Sequence, residues 1–295
     1  MRSSLRTLLA GLIDYAGLFP PAGLPMEQAV ANYASYLRGE DRWALGRFIV
    51  PAGRLGEFSE AASGVLPAAG EPWRLSALVG SNAGGEVEAA RRFNARRAPA
   101  GGALVDTLEG KADRAEGVKA LSAAAAPEFT LFVEIPVDND PLPLVAAIVS
   151  AGARAKIRTG GVTVDAFPPS GAVVRFLVAC VRQPVAFKAT AGLHHPIRGD
   201  YPLTYALDAH RGTMYGYLNL LLAAALLQSG GGIAQVENLL EETRLESFAF
   251  EEDGVAWRDT RIPNDVLARI RGLALGIGSC SFDEPLDDLR RAGLH

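Results

Sequence analysis

The chain has few cysteines, few histidines and no strong excess of charge of either sign. Its two cysteines, Cys180 and Cys280, lie far apart and lack the spacing of metal ligands, so they are expected to be reduced thiols of a cytosolic protein. The formal net charge of -4 gives no reason to expect nucleic acid or an anionic membrane as a partner. These absences leave a small-molecule substrate as the expected partner.

No apolar run in the sequence is long enough to span a bilayer. The longest, Leu218 to Leu227, contains Asn219 and is expected to be a buried helix. The N-terminus is basic, but Asp14 and two prolines follow where a signal peptide would have its apolar core and cleavage site. We therefore expect a cytoplasmic protein without membrane contact.

Short apolar segments alternate with longer amphipathic ones along the chain. Eight segments have the composition of strands: Leu12–Tyr15, Gly46–Val50, Arg74–Val79, Ala103–Thr107, Thr130–Ile135, Arg154–Arg158, Val185–Ala189 and Leu273–Ile277. Helical patterns lie between them: Met26–Leu37, Glu86–Arg97, Arg114–Ala124, Pro143–Ser150 and Ala172–Val181. This alternation predicts a single (β/α)8 TIM barrel over residues 1–295, with a doubly wound open sheet as the alternative.

The regular spacing breaks once, in an excursion at about residues 199–262 between the seventh and eighth predicted strands. It contains His210, a long helix through Leu227, three consecutive glycines, a second helix near Val236–Thr243 and a hairpin signal around Asp253-Gly254. An insertion after a barrel strand's carboxyl end is expected on the active-site face. The excursion is therefore interpreted either as a lid or a contact in a homo-oligomer, or as extra packing.

Two lysines occupy matching places in consecutive predicted strands, Lys156 in the sixth and Lys188 in the seventh. A second ammonium nearby makes the first amine easier to deprotonate, which prepares it to attack a carbonyl group. Residues at the carboxyl ends of barrel strands converge on one pocket. The same rule adds three carboxylates as proton carriers, so the predicted catalytic set is Lys156, Lys188, Asp106, Glu134 and Asp14.

A second set of residues follows strands six, seven and eight and could bind the substrate. Backbone N–H groups and hydroxyls in Gly- and Ser-rich turns are suited to a phosphate. Arg158 could bind a carboxylate or phosphate bidentately, or form a structural ion pair. The predicted binding residues are Arg158, Thr159, Gly160, Gly192, His194, His195, Gly278, Ser279 and Ser281.

The adjacent histidines allow a different interpretation. With His210 and a carboxylate, His194 and His195 could ligate zinc or another divalent metal. Neighbouring residues of an extended chain point to opposite sides, however, so one site seldom uses both. We favour one of the two as a polar pocket residue or a general acid/base, and expect neither a metal nor a cofactor.

These segments together resemble the deoxyribose-phosphate aldolase branch of the class I aldolases. The segments Leu12 to Ala22, Leu104 to Asp106, Ala153 to Gly160, Val185 to Gly192 and Gly276 to Ser281 are similar, in order, to that family's motifs. The resemblance implies a TIM barrel in which Lys156 forms a Schiff base, Lys188 tunes it and Asp106 shuttles protons. It also implies that Gly192 and Ser279 lie near a substrate phosphate.

The chain departs from the family's motifs at the predicted pocket. Phe19 stands where the family has a lysine, Ile157 and Arg158 replace small residues, Ala191 replaces a glycine, and His194-His195-Pro196 is added. The added Arg and His side chains favour a more anionic carbonyl compound than deoxyribose phosphate. The sequence thus predicts an aldolase-like carbon–carbon lyase that forms a Schiff base with a small anionic carbonyl substrate. The alternatives are a metal-dependent lyase or hydrolase using His194, His195 and His210, and a non-catalytic ligand-binding barrel.

Overall fold

The computed structural model describes residues 2–96 and 101–294, and its centre is a closed barrel of eight parallel strands. The barrel strands are β1 (Ile13–Tyr15), β2 (Leu45–Pro51), β3 (Trp73–Leu78), β4 (Ala103–Lys111), β5 (Thr130–Glu134), β6 (Arg154–Arg158) and β7 (Phe187–Thr190), closed by the last strand of the chain (Ala274–Ser279). Each neighbouring pair is parallel, and the last strand pairs with both β1 and β7. The predicted (β/α)8 TIM barrel is confirmed.

Eight of the helices begin or end beside these strands: α1 (Ser3–Leu9), α2 (Met26–Arg38), α3 (Leu55–Ala62), α4 (Ala83–Ala95), α5 (Ala115–Ala125), α6 (Leu142–Ser150), α7 (Ser170–Arg182) and the C-terminal helix (Asp283–Arg291). Their apolar faces cover the barrel. Helix α2 has an acidic residue, Glu27, in its first turn and a basic residue, Arg38, in its last turn, and both charges interact favourably with the helix dipole. The predicted helix Glu86–Arg97 corresponds to α4; Arg97 itself lies outside the described residues.

The excursion between β7 and the last barrel strand forms two small sheets and three helices. In chain order these are β8 (Gly199–Pro202), β9 (Arg211–Met214), α8 (Tyr217–Gln228), α9 (Ile233–Leu240), β10 (Phe248–Phe250), β11 (Gly254–Trp257), β12 (Thr260–Pro263) and α10 (Asn264–Arg271). The last barrel strand is therefore β13 and the C-terminal helix α11. The two predicted helices and the predicted hairpin are present, whereas the β8–β9 hairpin is an element that the sequence did not indicate.

The parts of the excursion lie in different places. Leu203 and Met214, in and beside the β8–β9 hairpin, line the cavity above the barrel. Helix α8 is buried on all sides from Tyr217 to Leu226 and packs against α7, α9 and α10. The sheet of β10, β11 and β12 packs on α1, α8 and α10 and contributes no residue to that cavity. The first hairpin of the excursion thus lies at the cavity, whereas α8 and the β10–β12 sheet contribute packing away from it. A lid or a contact in a homo-oligomer stays a prediction.

One segment, Val164–Arg182, is long and apolar enough to cross a membrane by length and composition. It contains α7, which packs against α6, α8 and α9 in the helical layer of the barrel. Seven of its residues are buried, including Val173, Phe176 and Leu177. An apolar helix in this position is the core helix of a compact barrel, as expected of a soluble protein. The cytoplasmic compartment stays a prediction.

Candidate active site

The two lysines are neighbours in the barrel wall. Strands β6 and β7 pair with Lys156 directly opposite Lys188, and β5 and β6 pair with Glu134 opposite Lys156. Both lysine side chains are almost fully buried, with 5% and 2% of their surface exposed. Their ion pairs reach strands that are not adjacent to their own, so the side chains point into the barrel.

Three carboxylates surround the two ammonium groups. Glu109 from β4 bridges both lysines, with Oε2 2.8 Å from Nζ of Lys156 and Oε1 2.6 Å from Nζ of Lys188. Glu134 lies 2.9 Å from Nζ of Lys156 on the other side, and Asp14 from β1 binds Nζ of Lys188. The result is a row of alternating negative and positive side chains across the barrel interior, in which each ammonium group contacts two carboxylates.

The opposite charges shift the pKa values of Glu109, Glu134 and Lys188 toward their ionised forms. Burial raises the pKa of a carboxyl group, but Lys156 and Lys188 outweigh this effect and hold the pKa of Glu109 well below its usual range. Burial also raises the pKa of Glu134, but Lys156, together with Arg158 and Lys111, lowers it to about 2. Burial lowers the pKa of Lys188, but Asp14 and Glu109 raise it above the ordinary value. Lys188 is therefore a permanent cation in this site.

Asp106 is the predicted catalytic residue that the structure does not bring to the lysines. The β3–β4 register shifts so that Leu75 pairs with Val105 and Ser76 with Thr107, which leaves Asp106 in a bulge. Its carboxylate instead binds Arg47, at 2.6 Å, and Arg74. Burial raises the pKa of Asp106, but the two guanidinium groups have the larger effect, and the pKa lies below its ordinary value. The carboxylate that β4 contributes to the lysines is Glu109.

A cavity of about 270 Å³ opens above this row of charged side chains. Lys156 and Glu109 line it, whereas Lys188 and Asp14 lie behind them and do not. Arg158 also lines it, with 49% of its side chain exposed and Nε 3.4 Å from Glu134. A second cavity of about 380 Å³ lies between α3 and α4, away from the lysines and without an acidic side chain in its lining. The first cavity therefore places the amine of Lys156 and the guanidinium group of Arg158 in one lining.

The predicted phosphate turns have mostly structural roles. The Thr159 hydroxyl is buried and donates to the carbonyl of Ala191 at 2.7 Å. The Ser281 hydroxyl accepts the backbone N–H of Glu284 at 3.1 Å, near the start of α11. A Cβ on Gly160 or Gly192 would collide with the ring of Phe167, so these glycines allow close packing.

Other predicted binding residues do lie at the cavity. Gly192 and Gly278 both belong to its lining. Ser279 follows Gly278 in β13; its hydroxyl is buried without a hydrogen-bond partner, and Ser279 does not line the cavity.

The two adjacent histidines point to different sides. His194 lines the cavity, and its Nδ1 lies 3.0 Å from Glu284. His195 faces away, stacked on Tyr201 at 3.5 Å between ring centroids and paired with Asp288 at 2.5 Å. His210 is exposed in the β8–β9 hairpin. Within residues 2–96 and 101–294 no three His, Cys, Asp or Glu side chains are grouped to hold a metal ion, so the metal hypothesis lacks its predicted ligand set.

Asp14 requires a glycine in the neighbouring strand. Its Oδ1 accepts the backbone N–H of Arg47 at 2.6 Å, and a Cβ on Gly46 would lie 2.1 Å from that oxygen. Gly46→Ala should displace Asp14 from Lys188 and destabilise the fold by about 1–3 kcal/mol, the usual effect of overpacking. Urea unfolding measures this loss. Gly84→Ala, at a helical site with open space around the glycine, is the matched control and should be neutral or stabilising.

Comparisons with known proteins add no argument about this chain's family or chemistry. No protein-family model matches the chain, and no curated protein matches its sequence. Eight solved chains match its structure. One is a variant of mandelate oxidase solved with 4-Br-2-hydroxy-methylphenylacetate; it is 14% identical, the match covers 90% of this chain and 74% of that one, and the TM-score is 0.35. At this level of similarity the match carries no inference about chemistry.

Proposed function

We propose that this barrel is a lyase of the class I aldolase kind, which forms a Schiff base between Lys156 and a small anionic carbonyl compound. The observation that carries the proposal is the position of Lys156. It lines the cavity, and two carboxylates lie within 3 Å of its Nζ, Glu109 at 2.8 Å and Glu134 at 2.9 Å. Both carboxylates bind the ammonium group of Lys156, and they would compensate the positive charge of an imine formed at the same nitrogen.

The residues support a defined sequence of steps. Nζ of Lys156 gives up a proton to water and adds to the substrate carbonyl, whose oxygen takes up a proton, which gives a carbinolamine. Loss of water leaves a protonated imine, whose positive charge is compensated by the same two carboxylates. The imine accepts the electron pair of the bond between its α and β carbons, while the β-hydroxyl loses a proton to water and the β fragment leaves as an aldehyde. The remaining enamine takes up a proton at its α carbon, and water hydrolyses the resulting imine to free Lys156 and the second carbonyl product.

Lys188 has a supporting role in this proposal. It does not line the cavity, and its charge is held by Asp14 and Glu109. By fixing one oxygen of Glu109 at 2.6 Å, it directs the other oxygen toward Lys156. When Lys156 becomes neutral, the charge of Lys188 still compensates Glu109. Lys188 therefore orients the carboxylate that contacts Lys156 and keeps the site's total charge balanced.

The proposed substrate is anionic because a guanidinium group lines the cavity. Arg158 lies in the lining beside Lys156, and about half of its side chain is exposed. Guanidinium groups bind carboxylates and phosphates bidentately. A keto acid or a phosphorylated carbonyl compound fits this arrangement.

Reductive trapping tests the proposal directly. The protein is incubated with small aldehydes, keto acids and sugar phosphates, reduced with borohydride, and weighed intact. The chain has four lysines, at positions 111, 119, 156 and 188, so the adduct is easily assigned by peptide mapping. We expect one adduct, on Lys156, with an anionic carbonyl compound; exposed Lys119 on α5 is the internal control. An adduct elsewhere, or none across the panel, would contradict the Schiff-base mechanism.

A further inference from the structure

A second cluster of reactive groups lines the same cavity. Cys280 follows β13, and its Sγ lies 3.9 Å from each ring nitrogen of His194. Both residues belong to the lining of the cavity that contains Lys156. The lysine mechanism uses neither of them. A thiol and an imidazole in contact inside a substrate cavity form the pair that activates sulfur as a nucleophile.

The cluster is completed by groups that orient the imidazole. Nδ1 of His194 lies 3.0 Å from Oε2 of Glu284 in α11. The hydroxyl of Tyr205, in the β8–β9 hairpin, donates to the same oxygen at 3.0 Å and lies 3.5 Å from Sγ of Cys280. A carboxylate that binds one ring nitrogen favours the protonated imidazole. The other nitrogen can then interact with the sulfur or with a ligand in the cavity.

The charge states agree with this geometry. Burial lowers the pKa of His194, but contacts with Cys280 and Glu284 raise it to about 10. Burial raises the pKa of the Cys280 thiol, whereas His194 lowers it, and the net pKa lies below the ordinary value. Cys180 has no such neighbours: it is fully buried in α7, and burial alone raises its pKa. The surroundings of Cys280 thus favour the thiolate, whereas those of Cys180 disfavour it.

We propose that Cys280 is a second nucleophile of the cavity, a thiolate paired with the His194 imidazolium that adds reversibly to the aldehyde carbon of a small carbonyl ligand. A sulfur–carbon bond forms, and the electron pair of the carbonyl double bond moves to its oxygen. That oxygen takes a proton from the His194 imidazolium, which leaves a neutral hemithioacetal and a neutral imidazole. No oxidant or reductant is required, and the reverse steps release the aldehyde. The site stands independently of the Schiff base on Lys156.

The thiol's reactivity is tested with iodoacetamide on the native, full-length protein at about pH 6, where an ordinary thiol with a pKa of about 8.5 is almost entirely protonated. Peptide mapping over time should show alkylation of Cys280 and none of Cys180. His194→Gln should slow alkylation of Cys280 at least tenfold. His195→Gln is the matched control, since His195 is also buried and paired with a carboxylate but faces away from the cavity. Equal rates in wild type and the His194 variant would overturn the activated thiolate.

Addition to a carbonyl group is tested by protection with glyoxylate. Glyoxylate should slow the alkylation of Cys280 and should do so in the Lys156→Ala variant as well, where no imine can form. Protection that disappears in that variant would show that the aldehyde binds only through lysine, and would overturn the hemithioacetal. If instead borohydride trapping fails while protection persists, the Schiff-base proposal falls and the thiol site stands.

Discussion

Lys156→Arg should abolish the borohydride-trapped adduct and reduce turnover of the trapped compound by roughly 10⁴-fold or more, the scale expected when a covalent nucleophile is removed. A guanidinium group keeps the positive charge between Glu109 and Glu134, but it does not form an imine under these conditions. The variant separates the charge of Lys156 from its nucleophilicity. Turnover is measured with whichever compound gives the wild-type adduct.

Lys156→Ala provides the complementary measurement. It should lose the same activity, and removing the side chain leaves room in the cavity for a small amine. Added ethylamine should then restore part of the turnover without a covalent adduct on the protein. Asp106→Asn is the matched control: Asp106 binds Arg47 and Arg74 away from the lysines, and its variant should keep both adduct and turnover. An Arg variant that retains full turnover would exclude covalent catalysis by Lys156.

The barrel could be predicted from the sequence because its signals are local. Each of the eight predicted strands overlaps an observed barrel strand, since a parallel strand buried on both faces is a short apolar run between turn residues. The same logic identified the excursion by its length. Short amphipathic helices such as α3 and α10, at eight residues each, were missed because two turns give too little periodicity to recognise.

The sequence predicts correctly those site residues whose location follows from their position in a regular strand. Lys156 and Lys188 are buried and adjacent because β6 and β7 pair without a register shift. Asp106 was misplaced because a bulge in β4 changes the side-chain alternation, and nothing in the residues Leu104 to Leu108 reveals a bulge before the pairing is known. The observed β4 also continues to Lys111, beyond the predicted end at Thr107, so Glu109 was overlooked.

The cluster around Cys280 shows a further limit of sequence reasoning. Glu284 lies 90 residues after His194 and 79 residues after Tyr205 in the sequence. Only the closed barrel brings its helix, α11, against the β8–β9 hairpin. One signal was available: Cys280 follows the last predicted strand, where the barrel rule places pocket residues. The absence of metal-ligand spacing removed this cysteine from consideration, although a nucleophile needs no such spacing.

Lys188→Met should destabilise the protein by about 3–5 kcal/mol, because it leaves two buried carboxylates without their shared cation. Asp14 loses its ammonium partner, and Glu109 retains only Lys156. Denaturant unfolding at neutral pH measures the loss. Lys119→Met, on the exposed surface of α5, is the control and should change stability little. A small effect at Lys188 would mean that the buried charges are not coupled as their distances indicate.

The pH dependence of that loss identifies its electrostatic origin. In the wild type, the pKa of Glu134 is about 2 against an ordinary value of 4.5, and that of Glu109 is also lowered. Carboxylates with depressed pKa values stabilise the fold above about pH 4.5, and this contribution disappears as the pH falls toward the folded-state values. Without Lys188, the pKa of Glu109 rises, so the folded variant takes up a proton more readily in acid. The stability gap between wild type and Lys188→Met should therefore narrow below about pH 4.5, whereas a gap caused only by lost packing would stay constant.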